Sequence, residues 1–272
     1  MKLNAISRPL IMGILNVTSD SFSDGGLYTD ADSAISHGLE MIDEGADIID
    51  VGGESTRPGS ARIAADAQIN RIVPVITGLK SRQDKIIISI DTTLAGVAEA
   101  ALDAGAAIIN DVSAGRDDEN MFLLAADRKA PIILMHMQGT PATMQDSPQY
   151  ENVVEEIRAF LLERAGQAEA AGIAGSNIII DPGIGFGKTK QHNLELLANL
   201  RRFTDAGYVM MLGASRKRFM GSICAVENHN ELVGATCATT TLGVEAGVKI
   251  FRVHDVKENR QAADVAFAVK RL

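Results

Sequence analysis

Ile48-Ile49-Asp50-Val51-Gly52-Gly53-Glu54 is a β-branched run that ends in an acid and two glycines. Runs of the same design recur along the chain. They close at Gly13-Ile14-Leu15-Asn16, Ile88-Ser89-Ile90-Asp91, Ile108-Ile109-Asn110-Asp111, Leu134-Met135-His136, Ile179-Ile180-Asp181, Met211-Leu212-Gly213-Ala214-Ser215 and Phe251-Arg252-Val253-His254. An amphipathic stretch follows each one. Strands are expected at 10–17, 46–51, 86–91, 107–111, 132–136, 177–181, 208–212 and 249–253. Helices are expected near 30–44, 64–80, 94–104, 119–128, 150–171, 193–203 and 232–246, from near Ser215, and from 256 onward. Gly45, Gly105 and Gly172 read as helix stops. Strands this apolar, alternating with helices, should be parallel and covered on both faces. An open doubly wound sheet would gather ligand at one switch point, whereas here every strand carries a polar tip. The expectation is therefore an α/β fold, a single-domain (β/α)8 TIM barrel over 1–272 with its active site at the C-terminal ends of the strands.

Size and charge narrow the function classes. The chain has 272 residues, and one such barrel takes about 250. Its formal charge of −9 argues against nucleic acid or an anionic membrane as partner, since both demand a dense basic patch. No apolar run approaches the roughly 18 residues of a membrane span, and polar residues 1–9 do not read as a signal peptide. A cytoplasmic location is expected. Cys224 and Cys237, the two cysteines, form no metal-ligand pair and are expected to be reduced.

The strand tips carry the chemistry. Pro182-Gly183-Ile184-Gly185-Phe186-Gly187-Lys188 has Pro where a phosphate-binding P-loop needs Gly. It reads instead as backbone passing close to a ligand or turning sharply. Phe186 within it is either a stacking wall or a loop anchor. Asp91 and Asp181 could each be a helix N-cap, but with Asn110 and Lys217 they form a set that complements a guanidine-like ring edge such as that of a 2-amino-4-oxo pyrimidine. Arg252 and His254 share one face of strand eight and read as an anion clamp or, alternatively, as a structural salt bridge. Arg57 could join the clamp. Asn16 offers an oxygen of the kind Mg²⁺ accepts beside phosphate. Ser215 reads as a helix cap or an anion contact, and Arg216 as a solvent-facing or core-pairing charge. His37, His192 and His229 look like surface residues, His136 is intermediate, and Met135 and Met137 are core or pocket wall. No Ser-His-Asp or Cys-His grouping stands out.

Taken in order, these motifs, together with Asp20-Ser21-Phe22-Ser23-Asp24, Glu54-Ser55-Thr56-Arg57-Pro58-Gly59 and Ser215-Arg216-Lys217, resemble the dihydropteroate synthases, a pterin-binding family. The likeness runs from Met12 to Val256. It implies a transferase of folate biosynthesis that joins 6-hydroxymethyl-7,8-dihydropterin diphosphate to p-aminobenzoate and releases diphosphate. It further implies that Asp91, Asn110, Asp181 and Lys217 hold the pterin, and that Asn16, Arg57, Arg252 and His254 hold the diphosphate, with Mg²⁺ at Asn16. Phe22, Thr56, Pro58, Phe186, Ser215 and Lys217 would frame p-aminobenzoate, a pocket compatible with sulfonamide-type inhibitors. Asp91, Lys217, Arg252 and His254 are the candidate catalytic residues, and a homodimer is implied. Loops 18–29 and 52–63 would close over the site. Ser19 departs from the Pro of many members, and the helix after the second loop is less acidic than usual there. Two alternatives stand beside this reading: a non-catalytic pterin-binding paralogue, and a corrinoid-linked methyl-folate methyltransferase barrel, which has no need of Arg252 and His254.

Overall fold

A computed structural model describes residues 6–17, 27–54, 62–140 and 143–272, with 27–30 described by their helix alone. Eight parallel strands close into a barrel in sequence order. They are β1 (Leu10–Asn16), β2 (Ile48–Gly52), β3 (Ile87–Asp91), β4 (Ile108–Asp111), β5 (Ile132–Met135), β6 (Ile178–Asp181), β7 (Val209–Leu212) and β8 (Ile250–Val253). Closure pairs β1 with β8, Met12 opposite Arg252.

Alternation along each strand makes two cores. Met12, Ile48, Ile108, Ile133, Ile179, Met211 and Ile250 fill the barrel interior. Their neighbours, among them Ile49, Ile88, Ile109, Ile180 and Phe251, pack outward against the helices. β-Branched residues suit strands covered on both faces, and the buried runs of β2 to β6 follow that composition.

The outer ring is α1 (Leu27–Asp43), α2 (Ala65–Arg82), α3 (Ala95–Asp103), α4 (Met121–Arg128), α5 (Val153–Ala170), α6 (Lys190–Ala198), α7 (Arg201–Thr204), α8 (Arg218–Cys224), α9 (Val233–Ala246) and α10 (Val256–Lys270). Gly45, Gly105 and Gly172 stop their helices at φ of 104°, 113° and 101°. Three expectations need correction. α1 begins at Leu27, which shortens the first expected loop at its far end. The helix expected at 193–203 starts earlier, because Thr189 caps it with His192 in a reciprocal box, and it breaks at Asn199 into α6 and α7. His192 is thus a capping residue rather than a bystander. The helix expected from Ser215 begins at Arg218.

The bottom of the barrel is tied by charge. Asp47 accepts from Ile11 N (2.9 Å), Arg260 Nη1 (3.2 Å) and Arg8 Nη2 (2.5 Å). Arg260 also donates to Pro9 O (3.0 Å) and Asp264 (2.6 Å). Conservation of fold is the usual business of this end of such a barrel.

Candidate active site

Strand register sets the mouth. Asn16, Gly52, Asp91 and Asn110 form one row across β1 to β4, and Ile14, Asp50 and Ser89 form an inward row just below. Above them lies a narrow cleft edged by Asn110, Asp181, Phe186, Ser215, Lys217, Arg252 and His254, with Ile14, Val112, Met135 and Met211 as apolar wall. Seven polar or aromatic residues expected to act together therefore meet at one rim. Asp91 sits behind Arg252 rather than on the cleft wall, and Asn16 stands across Gly52 from it. A Cβ on Gly52 would lie 3.7 Å from Asn16 Oδ1 and 3.8 Å from Asp91 Oδ2. Phe22, Thr56, Arg57 and Pro58 lie outside the described residues.

Arg252 lies between two acids. Its Nε donates to Asp50 Oδ2 (2.6 Å) and its Nη2 to Asp91 Oδ2 (2.7 Å). The salt bridge, one of the two sequence readings of Arg252, is thus present, and the side chain also edges the cleft. Burial would lower the Arg252 pKa, but Asp50 and Asp91 outweigh it and the net shift is upward. Asp91 moves to about 7: burial raises it most, Arg252 opposes, and Asp50, Asp111 and Glu54 add to the rise. Asp91 Oδ1, Asn110 Oδ1, Asp50 Oδ1 and Ser89 Oγ are buried with no hydrogen-bond partner among the described residues. Such atoms are costly unless something satisfies them.

On the opposite wall, Asp181 Oδ1 accepts from Gly183 N (2.8 Å). Burial raises its pKa, against the pull of that bond and of Lys217, Lys188 and Arg252. The turn after β6 takes positive φ at Gly183, Gly185 and Gly187. A side chain at 183 would collide with the His136 carbonyl. Lys188 holds the turn from beneath, donating to Phe186 O (2.8 Å) and His136 O (3.3 Å) and lying 3.0 Å from His136 Nδ1. His136 is buried there, edge-on to Phe160, and is not part of the cleft lining. The turn carries Phe186 to the cleft, where Lys217 Nζ stands 4.1 Å from its ring centroid, a cation–π contact. Burial first, then Arg252, brings the Lys217 pKa down to about 8, with Asp181 and Asp91 resisting.

Ser215 does not cap a helix, since Lys217 is the N-cap of α8. Its Oγ accepts from His254 N (3.2 Å) and lies 3.0 Å from His254 Nδ1. Burial, then Arg216 and Arg252, lowers the His254 pKa to about 3, with Asp255 opposing. Arg216 is a core-pairing charge, bound to Asp255 at 2.5 and 3.0 Å. Sequence reading missed Asp50 as a site residue, although an acid in the apolar run 48–51 was the available signal.

Acids, an amide, a lysine, an arginine and an imidazole gather at the mouth of a parallel barrel. That arrangement defines a barrel enzyme for an anionic, nitrogen-rich ligand. Residues 12–254 match the family model described as Pterin binding enzyme. The chain is 45% identical to a dihydropteroate synthase of Clostridium beijerinckii, over 99% of this chain and 97% of that one. Among solved structures, a Xanthomonas albilineans dihydropteroate synthase with 4-aminobenzoic acid superposes with a TM-score of 0.92 at 42% identity, covering 98% and 95% of the two chains. A Yersinia pestis dihydropteroate synthase with a sulfonamide drug gives 0.92 at 40%, covering 98% and 96%. The chain belongs to the pterin-binding enzyme family, in its dihydropteroate synthase branch. The methyltransferase alternative is not favoured. No helix among the described residues is long and apolar enough to cross a membrane.

Proposed function

We propose that this chain joins 6-hydroxymethyl-7,8-dihydropterin diphosphate to p-aminobenzoate, giving 7,8-dihydropteroate and diphosphate. One observation carries the residue assignment: the buried, unpartnered oxygens of Asn110 and Asp91 at a mouth that Asp181 and Lys217 also edge. Acceptors on one side and an ammonium on the other match the N–H groups and carbonyl of a pterin ring. Arg252, His254, Asn16 and Arg57 take the diphosphate. Phe22, Thr56, Pro58, Phe186, Ser215 and Lys217 frame p-aminobenzoate, the pocket a sulfonamide would share.

The displacement is dissociative. The bond from the pterin methylene carbon to the diphosphate oxygen breaks with its electron pair on oxygen. The arylamine nitrogen then bonds to that carbon and loses a proton. Asp91 and Asp181 stabilise the positive charge that spreads over the ring, while Arg252 and His254 stabilise the departing anion. Stacking against Phe186 excludes water from the cation.

Mg²⁺ fits the donor chemistry. Asn16 Oδ1 is a hard oxygen at the tip of β1, and Mg²⁺ is commonly held by one or two such groups plus phosphate and water. Among the described residues no cluster of three His, Cys, Asp or Glu competes for that role. Asn16 would hold the ion, which would supply charge neutralisation on the leaving group. The same reading carries a homodimer, drawn from the resemblance, and a cytoplasmic location.

Incubation with the pterin diphosphate, Mg²⁺ and p-aminobenzoate is expected to yield dihydropteroate and one equivalent of diphosphate. Formation of neither would overturn the assignment.

A further inference from the structure

Asp50 has no exposed surface and no role in the mechanism above, yet one of its oxygens holds two working side chains. Oδ2 accepts from Asn110 Nδ2 at 2.9 Å and from Arg252 Nε at 2.6 Å. These partners stand 60 and 202 residues away in sequence. We propose that Asp50 is a positioning and specificity-determining residue, which fixes the polarity of the Asn110 amide and the seat of the Arg252 guanidinium through that single oxygen. The inference rests on the pterin and diphosphate roles given above.

The polarity argument is one of donors and acceptors. An ionised carboxylate only accepts, so the Asn110 NH2 must face it. Asn110 Oδ1 is then turned away, and it is one of the buried oxygens without a partner. A ligand atom opposite it has to donate. An isosteric ring with an acceptor there meets lone pair against lone pair in a buried site, where unpaired groups discriminate strongly. Without the Asp50 charge the amide could turn over, and this demand on the ligand would vanish.

Arg252 depends on the same oxygen. Nε on Asp50 and Nη2 on Asp91 fix the guanidinium plane from two strands. Nη1 has no partner among the described residues, and Arg252 edges the cleft. The fork cannot swing without leaving two buried carboxylates uncompensated. Asp50 Oδ2 is thus a common reference point for the ring contact and the diphosphate contact. A plain counter-ion for Arg252 would account for the second bond but not for the first.

The test measures the two subsites separately in the full-length chain. The probes are 6-hydroxymethyl-7,8-dihydropterin lacking the diphosphate, and inorganic diphosphate. Asp50→Asn should weaken the dihydropterin on the order of ten-fold or more and diphosphate several-fold. Asp181→Asn should weaken the dihydropterin alone. The double variant supplies a readout that misfolding would not mimic. The exchange Asp50→Asn with Asn110→Asp keeps an acceptor toward the ring and should recover dihydropterin binding. Wild-type affinity for both probes in Asp50→Asn, loss of diphosphate binding alone, or a double variant as weak as the single one would each overturn the inference. Wild-type protein that binds neither probe would instead sink the functional reading on which it rests.

Discussion

Two aspartates three residues apart, Asp47 and Asp50, anchor arginines at opposite ends of the same barrel, and they are treated differently. Asp47 at the bottom has both oxygens engaged, by Arg8, Arg260 and a backbone N–H. Asp50 at the top is fully buried and keeps one oxygen empty, as do Asp91 and Asn110 beside it. In the lower network the Asp47 carboxylate is fully engaged without a ligand, and the unpartnered buried atom is a donor, Arg260 Nε. The upper one holds polarity in reserve, which a stability criterion alone would not select.

The sharpest way to break this comparison is to delete each arginine. Arg252→Ala should depress kcat/KM by about 10²–10³-fold through the lost clamp. Arg260→Ala should leave kcat unchanged and cost roughly 2 kcal/mol of unfolding free energy, discounted because Asp264 is exposed. Steady-state kinetics and urea melts of both variants decide the matter. A kinetic defect in Arg260→Ala as large as that in Arg252→Ala would erase the distinction between the ends.

A smaller effect sharpens it through pH. Asp91 must be ionised to stabilise the pterin cation, and its folded-state pKa lies near 7. Below that value the carboxyl takes up a proton. For the free enzyme, kcat/KM should therefore fall as pH drops through about 7. A profile flat down to pH 5 would remove Asp91 from the rate-determining charge balance.

Much of this was legible beforehand, for a physical reason. Strand period and tip chemistry are local, so the barrel and the rim residues Asn110, Asp181, Phe186, Ser215, Lys217, Arg252 and His254 could be read off short stretches. What escaped was long-range pairing. Nothing near Asp50 signals an arginine 202 residues downstream, and nothing near Ser215 shows that its hydroxyl is committed to His254. Helix limits failed where a side chain decided them, as with Thr189 and His192 at the start of α6. Of the two readings of Arg252, the structure shows the ion pair, with Asp50 and Asp91.

The perch of Lys217 above Phe186 has a thermodynamic corollary. Burial and Arg252 bring its pKa down to about 8, so more of the population carries a free amine at neutrality than for an ordinary lysine. A carboxylate settling beside that nitrogen pulls the missing hydrogen ion out of solution. Calorimetric heats for p-aminobenzoate should then change with the ionisation enthalpy of the buffer, and the slope of that dependence counts the fraction of hydrogen ions captured.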